Sequence, residues 1–273
     1  MLTEDLNFFY RLNKELEQLH IKFKVLNLGA KIPHMTNSII LSTLKEIHNF
    51  YNVDGLKEKF LFYAKEGDFD EYIVKVLAIK RIGNKIYSEL VFSIDPGTKH
   101  LGLVIFLDDY YLNSHTIFEK NKLIEKIRIY INALQENNPN QLKLVFKFGR
   151  GLIPIILKLI EQVFKNFDKN LLRVLLIDDS KTSKLIIRDI NKKKIPKDEA
   201  AALIISLRDG VEISYDNYKT ILTQKKSEKL HDKSIGLNEQ SNLKLVEVAE
   251  SVLKGSLSLS KSMELIKIEK KFN

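Results

Sequence analysis

The stretch Phe92-Ser93-Ile94-Asp95-Pro96-Gly97-Thr98-Lys99-His100-Leu101-Gly102 decides how the rest of this chain is read. An apolar segment leads into it, another (101–107) leads out, and between them a Pro-Gly turn carries a single carboxylate. An Asp closing a buried strand, ahead of a turn tight enough to need Gly, sets charged oxygens at a sheet edge. A buried carboxylate is costly unless something pairs with it, so the position reads as a site. Asp-Pro-Gly is also a common plain turn, and only the other acids of the chain separate the two readings.

Outward from that stretch, residues 85–95, 101–107 and 110–118 are predicted as three consecutive antiparallel strands, with Asp108-Asp109 as a hairpin turn. A helix follows over 123–134, with Ile124, Ile127 and Ile131 on one face. Then come a buried strand at 142–148, a helix at 152–164 opened by Gly149-Arg150-Gly151, and a strand at 171–177. The last helix, 200–207, is entered through Ile195-Pro196-Lys197-Asp198-Glu199. The order βββαβαβα predicts an α/β fold, a mixed five-stranded sheet flanked by helices.

Residues 1–85 read as a small α/β domain without a catalytic constellation. A helix runs through Leu6, Leu12 and Leu19 with Thr3 as its N-cap, strands are expected at 21–26 and 38–44, and a helix around Tyr72 and Ile79 ends at Gly83-Asn84. Residues 86–210 form the second part. Residues 211–240 are polar, lysine-rich and weakly patterned, which predicts a connection, and 242–253 with 257–268 predict a helical hairpin that packs on the core or docks a partner. The third part is therefore 211–273.

Composition narrows the chemistry. The 273 residues contain no cysteine, which excludes disulfides, thiolate catalysis and Cys-based zinc sites, and leave carboxylates and six histidines as metal ligands. No run reaches the roughly 18–20 apolar residues of a membrane span, and the start lacks a basic segment before an apolar one, so a soluble, cytoplasmic protein without membrane partners is expected. The net charge is +9, and residues 91–210 hold most of the excess, with 20 Lys/Arg against 14 Asp/Glu. That balance favours a polyanionic partner.

The acids fall at equivalent places: Asp95 at the end of the first core strand, Asp178 and Asp179 at the end of a later one, Asp198 and Glu199 at the start of the last helix. Strand ends and helix starts on one edge of such a sheet converge where open sheets bind ligands. Clustered carboxylates repel unless cations neutralise them, and oxygen-only ligands suit Mg²⁺ or Mn²⁺. A pair of such ions about 3.5–4 Å apart holds a phosphodiester and activates water. Each acid also has an ordinary explanation, Asp178-Asp179 as a helix cap and Asp198-Glu199 as first-turn acids of a helix. Cations surround them: Lys181 and Lys184 flank Thr182, Lys192, Lys193 and Lys194 precede Asp198, and Lys197 adjoins it. Lysine runs are commonly solvated loops, yet beside carboxylates they suit phosphate binding. Arg150, between two glycines at a helix start, could meet a phosphate or belong to an ordinary turn.

Ile94-Asp95-Pro96-Gly97-Thr98-Lys99-His100-Leu101-Gly102 is similar to the first-strand Asp-Pro-Gly motif of the RNase H-like superfamily, in its RuvC-type Holliday junction resolvase branch. Asp178-Asp179-Ser180-Lys181-Thr182-Ser183 resembles the corresponding motif of the related YqgF-type resolvases, and Lys197-Asp198-Glu199-Ala200-Ala201-Ala202-Leu203 the final-helix motif of both. The resemblance spans about residues 88–208. It implies an RNase H-like fold and a Mg²⁺- or Mn²⁺-dependent endonuclease, a hydrolase of branched DNA in recombination or repair. It implies a homodimer, Asp95, Asp179 and Asp198 as catalytic metal ligands, and Asp178 and Glu199 as further ligands. Thr98, Lys99, Arg150, Lys181, Thr182, Lys184, Lys192, Lys193, Lys194 and Lys197 would contact nucleic acid. Two positions depart from the RuvC pattern: Lys147-Phe148-Gly149 stands where a fourth-strand Glu is expected, and Ala201 where the last helix carries an Asp. A catalytically degenerate module that binds nucleic acid or protein is the second reading. A kinase or ATPase of the actin and sugar-kinase type, suggested by Asp95-Pro96-Gly97-Thr98, is the third, and it lacks the second Asp-x-Gly motif.

Overall fold

Three strands between residues 89 and 177 place every other residue on one face: Val91, Ser93 and Asp95, then Val145, Lys147 and Gly149, then Leu175 and Ile177. The computed structural model describes residues 1–26, 38–46, 59–64, 66–83, 86–179, 185–224 and 239–272. The chain divides into two compact units, Met1–Gly83 and Asn84–Asn273.

The first unit contains α1 (Leu6–Gln18), β1 (Ile40–Thr43), β2 (Phe60–Tyr63) and α2 (Phe69–Ile82), with β1 and β2 paired in parallel. Phe8 of α1 stacks on Tyr63 with ring centroids 5.3 Å apart, and Phe69 and Tyr72 of α2 complete an aromatic cluster. Asp5, not Thr3, caps α1, accepting from the Phe8 amide at 3.0 Å. Thr3 instead donates to Glu46, a buried carboxylate that also accepts from Ser42 and Thr43. The expected strand at 21–26 is irregular backbone, and β2 and its pairing were not foreseen.

The second unit is built on β3 (Glu89–Pro96), β4 (Leu101–Leu107), β5 (Tyr110–Ile117), β6 (Lys143–Gly149), β7 (Leu172–Ile177) and β8 (Gly210–Ile213). Their spatial order is β5-β4-β3-β6-β7-β8. The β3–β6 and β6–β7 pairs are parallel and the others antiparallel, a mixed sheet flanked by helices. The sheet therefore has six strands where five were expected. β8 lies mostly in the segment read as a polar connection, and of its own residues only Ile213 is buried, so four residues offered too little alternation to be seen. Asp108 and Asp109 turn β4 into β5 with positive φ angles of 45° and 76°, the conformation that two-residue hairpin turns demand and Asp tolerates.

The connecting helices are α3 (Lys122–Gln135) and α4 (Ile153–Asn166). On the face carrying Phe92, Phe146 and Phe148, the first two rings stack at 5.1 Å and Phe167 stacks on Phe146 at 5.6 Å. The opposite face is covered by α5 (Lys197–Ser206), eight of whose ten residues are buried. Its Ala200-Ala201-Ala202 run lets it lie close, and Ser93 Oγ donates to the Ala202 carbonyl at 2.7 Å.

Beyond β8, α6 (Tyr218–Gln224) places Tyr218 and Leu222 in the core, where no helix was expected. The hairpin of α7 (Glu239–Leu253) and α8 (Leu259–Phe272) settles the choice left open by its sequence. Leu245, Val248, Ala249, Val252 and Leu259 join the core cluster with α5 and the sheet. Asp109 anchors α8 by accepting from the Ser260 amide at 2.8 Å. Residues 211–273 thus belong to the second unit. No helix among the described residues is long and apolar enough to cross a membrane.

Candidate active site

The carboxyl ends of β3, β6 and β7 meet at one edge of the sheet, and α5 runs toward that edge with its N-terminus. Asp95 is the penultimate residue of β3 and pairs with Gly102 of β4. A β-carbon on Gly102 would overlap the Asp198 carbonyl oxygen and lie 3.1 Å from the Glu199 amide nitrogen. Only glycine lets α5 approach β4 so closely, and this approach delivers Asp198 to the turn after Asp95. The β-carbon that Gly97 lacks would stand 4.0 Å from Asp198 Oδ1.

From the other side comes Asp179, two residues past the end of β7. Gly149, the last residue of β6, faces it: a β-carbon there would lie 3.2 Å from Asp179 Oδ2 and 2.7 Å from Ile205 Cδ1. The space a side chain of β6 would fill is taken by the Asp179 carboxylate. The Gly151 amide, at the turn into α4, donates to Asp179 Oδ2 at 2.8 Å. The anion met by the Gly149-Arg150-Gly151 turn is therefore a side chain of the protein itself.

Electrostatics ties the three acids together. Burial pushes the Asp95 carboxyl up to about 6, with the charges of Asp179 and Asp198 adding to the rise and Lys197 opposing it. Asp179 is also held above the ordinary carboxylate range, chiefly by burial, against the pull of the Gly151 amide. Such a site gains free energy by admitting positive charge. Its donors are carboxylate oxygens alone, the set that suits a hard divalent cation such as Mg²⁺ or Mn²⁺. Among the described residues, no group of three His, Asp or Glu side chains is placed, as it stands, to hold a metal ion. No family model matches the chain, and no curated protein matches it in sequence.

The other expected residues divide. Asp178 is exposed, and its backbone carbonyl accepts from Arg208 Nη1 at 2.7 Å. Glu199 is buried and points to β5, where Ser114 and Thr116 hydroxyls donate to its two oxygens. It fastens α5 to the sheet. Thr98 and Lys99 are exposed in the β3–β4 turn, whose Thr98 carbonyl accepts from Lys120 Nζ at 2.8 Å. Arg150 is half-buried beside the turn that holds Asp179. Lys192, Lys193 and Lys194 are exposed on the segment leading into α5, and Lys197 is exposed as its first residue. Lys181, Thr182 and Lys184 lie outside the described residues.

Two residues of the site neighbourhood were not singled out as contributors to it by sequence. Arg208 follows α5, and burial pulls its guanidinium down while Asp178 and Asp179 hold it charged. The signal was an arginine directly after a helix that is otherwise apolar. Lys147, noticed only as a departure from the family pattern, is 4% exposed and donates to the Ser206 and Arg208 carbonyls. It caps the C-terminus of α5, the position where a cation opposes the helix dipole.

Proposed function

We propose that the second unit is a divalent-cation-dependent endonuclease of RNase H-like type acting on branched DNA. The observation that carries this reading is the meeting of Asp95, Asp179 and Asp198, from three separate elements, at the carboxyl edge of the parallel strands. The order β5-β4-β3-β6-β7, with three antiparallel strands followed by two parallel crossovers, supports the RNase H-like assignment. Asp179 supplies a carboxylate in the space beside Gly149, so the absence of an acid on β6 leaves the edge furnished.

Asp95, Asp179 and Asp198 would hold the cation. A bound cation of this kind supplies Lewis acidity at a phosphodiester and a more acidic water. The protein's own residues then set the geometry. The Gly151 amide fixes one oxygen of Asp179 and directs the carboxylate toward the edge. Glu199, through Ser114 and Thr116, fixes the start of α5 and with it Asp198. Lys197, close enough to pull on Asp95, and the exposed lysines before it offer positive charge to the DNA backbone. A homodimer would match the two symmetric strands of a four-way junction.

The test is cleavage of a labelled synthetic four-way junction, beside linear duplex and single strand, in Mg²⁺ or Mn²⁺. The expected result is cation-dependent cutting of the junction that Asp95→Asn, Asp179→Asn and Asp198→Asn each abolish. That no three acid or histidine side chains among the described residues are placed, as they stand, to hold a metal ion favours a second reading, a degenerate module that binds junctions without cutting them. Tight binding with no cleavage by the wild type would replace the first reading with that one. Neither binding nor cutting would sink both.

A further inference from the structure

The segment entering α5 is a built hairpin. Arg188 and Lys194 pair as an antiparallel bridge, the Asp189 amide donates to the Lys193 carbonyl at 2.8 Å, and the Ile195 amide donates to the Ile187 carbonyl at 3.1 Å. Asp189 closes the tip, its Oδ1 accepting from the Asn191 and Lys193 amides, and Lys192 takes a positive φ of 61°. The stem is anchored: Ile187 is 1% exposed in the core and the Arg188 amide donates to Glu250 of α7. Asp189, the acid within this segment, is thus turned inward. Among the described residues, Arg188, Lys192, Lys193 and Lys194 form no side-chain ion pair. At the tip, Ile190 is 67% exposed, an apolar side chain amid four cations. The chain from Lys194 to Asp198 spans at most about 14 Å, so the hairpin stands beside the candidate site.

We infer that this hairpin is a branch-point probe: its cations hold DNA backbone phosphates while Ile190 wedges against bases exposed where strands diverge. The inference rests on the nuclease reading and adds how the substrate class is chosen. Charge complementarity selects a polyanion, and the cationic ring around Ile190 carries the tip to the phosphates. An apolar wedge between bases must unstack them, which is costly in continuous duplex and far cheaper where stacking is already interrupted. Lysines alone would bind duplex and junction alike, whereas Ile190 makes the interaction depend on an opened step. An anchored stem fits this use, because a wedge that yields gains nothing from meeting the bases.

The test compares wild type, Ile190→Ser and the triple variant Lys192→Ala/Lys193→Ala/Lys194→Ala, each as the full chain. Binding to a fluorescent four-way junction and to linear duplex of equal length is measured by anisotropy across a salt series. All the altered side chains are exposed, so folding is expected to be retained, checked by circular dichroism. Ile190→Ser is expected to lower the junction-to-duplex preference roughly fivefold with duplex affinity unchanged. The triple variant is expected to weaken both substrates and to flatten the salt dependence, by up to about 0.9 in log–log slope for each phosphate it no longer neutralises. A 2-aminopurine placed at the branch should brighten on binding wild type and not on binding Ile190→Ser. If wild type prefers and cuts junctions while Ile190→Ser keeps that preference, or loses junction and duplex equally, the probe is overturned and the nuclease reading stands. If wild type shows no junction preference, both fall. Capture by phosphatidylserine–phosphatidylcholine vesicles that depends on Ile190, without a change in DNA binding, would also overturn the probe in favour of a membrane-binding tip.

Discussion

Replacing Gly102 by alanine tests the packing that creates the site. The added methyl overlaps the Asp198 carbonyl oxygen and sits 3.1 Å from the Glu199 amide nitrogen. Both are backbone atoms of a helix pinned at Ser93, Ser114, Thr116 and Lys147, so no side-chain rotation relieves the clash. To restore ordinary van der Waals distances the start of α5 must retreat by roughly 1–2 Å. Overpacking of this kind costs about 3 kcal/mol, at the upper end of the usual range because the obstacle is main chain. Gly149→Ala meets the tip of Ile205 at 2.7 Å, which can rotate, and should cost about 1–2 kcal/mol. Gly255→Ala meets nothing within 4 Å and should cost about 1 kcal/mol through its φ of 72° alone. Urea unfolding of the three variants would rank them, with Gly102→Ala the least stable. Displacement of Asp198 by about 1 Å should also lower any junction cleavage about a hundredfold, as small misplacements of reacting groups do. A Gly102→Ala protein as stable as Gly255→Ala would refute the close approach of α5 to β4.

Three further predictions concern charged groups. Because burial raises folded-state Asp95 to about 6 from 3.8, its protonated form favours the native state, a contribution complete below pH 4 and lost as pH rises through 6. Asp95→Asn should therefore raise Tm at pH 7.5 and leave it nearly unchanged at pH 4, and Mg²⁺ should stabilise wild type but not the variant, all by calorimetry. Burial lowers folded-state Lys147 to about 8 from 10.5, so stability from its neutral form is full above pH 10.5 and lost as pH falls through 8. Lys147→Ala should abolish the rise between pH 8 and 10.5 and cost about 2–4 kcal/mol, by urea unfolding at each pH, since two helix carbonyls lose their donor and a cavity opens. Glu199→Gln should cost about 1–2 kcal/mol while retaining stabilisation by Mg²⁺; loss of the Mg²⁺ response would make Glu199 a ligand instead.

The strands of the second unit were legible because buried strands read as apolar runs between turn residues, and β3 to β7 begin and end within a few residues of expectation. Asp95 was legible from its place before Pro-Gly. What alternation cannot reveal is which neighbours a side chain finds. Glu199 and Asp198 are adjacent in sequence, yet one helix turns the first to the Ser114 and Thr116 hydroxyls and the second toward Asp95. Lys147 looked like a lost carboxylate position, while the position beside Asp95 on β6 is two residues on, at Gly149. β8 and β2 were missed because neither short strand has a buried face, one of four residues being buried in β8 and none in β2, whereas all four of β1, which was expected, are buried. The Thr3 cap failed because a competing buried acceptor, Glu46, claims its hydroxyl.

The burial of α5 beneath α7 and α8 has a consequence for synthesis. Residues 1–83 form a unit that the emerging chain can complete before the second unit is made, at the pace of about 5–20 residues per second. The second unit cannot follow suit strand by strand. Val248, Ala249, Val252 and Leu259, which close the apolar back of α5, come more than 40 residues after the last residue of that helix, Ser206, so the Ala-rich helix bearing Asp198 stays uncovered until that later stretch has been made. A nascent chain stalled before α7 would expose that apolar surface to chaperones.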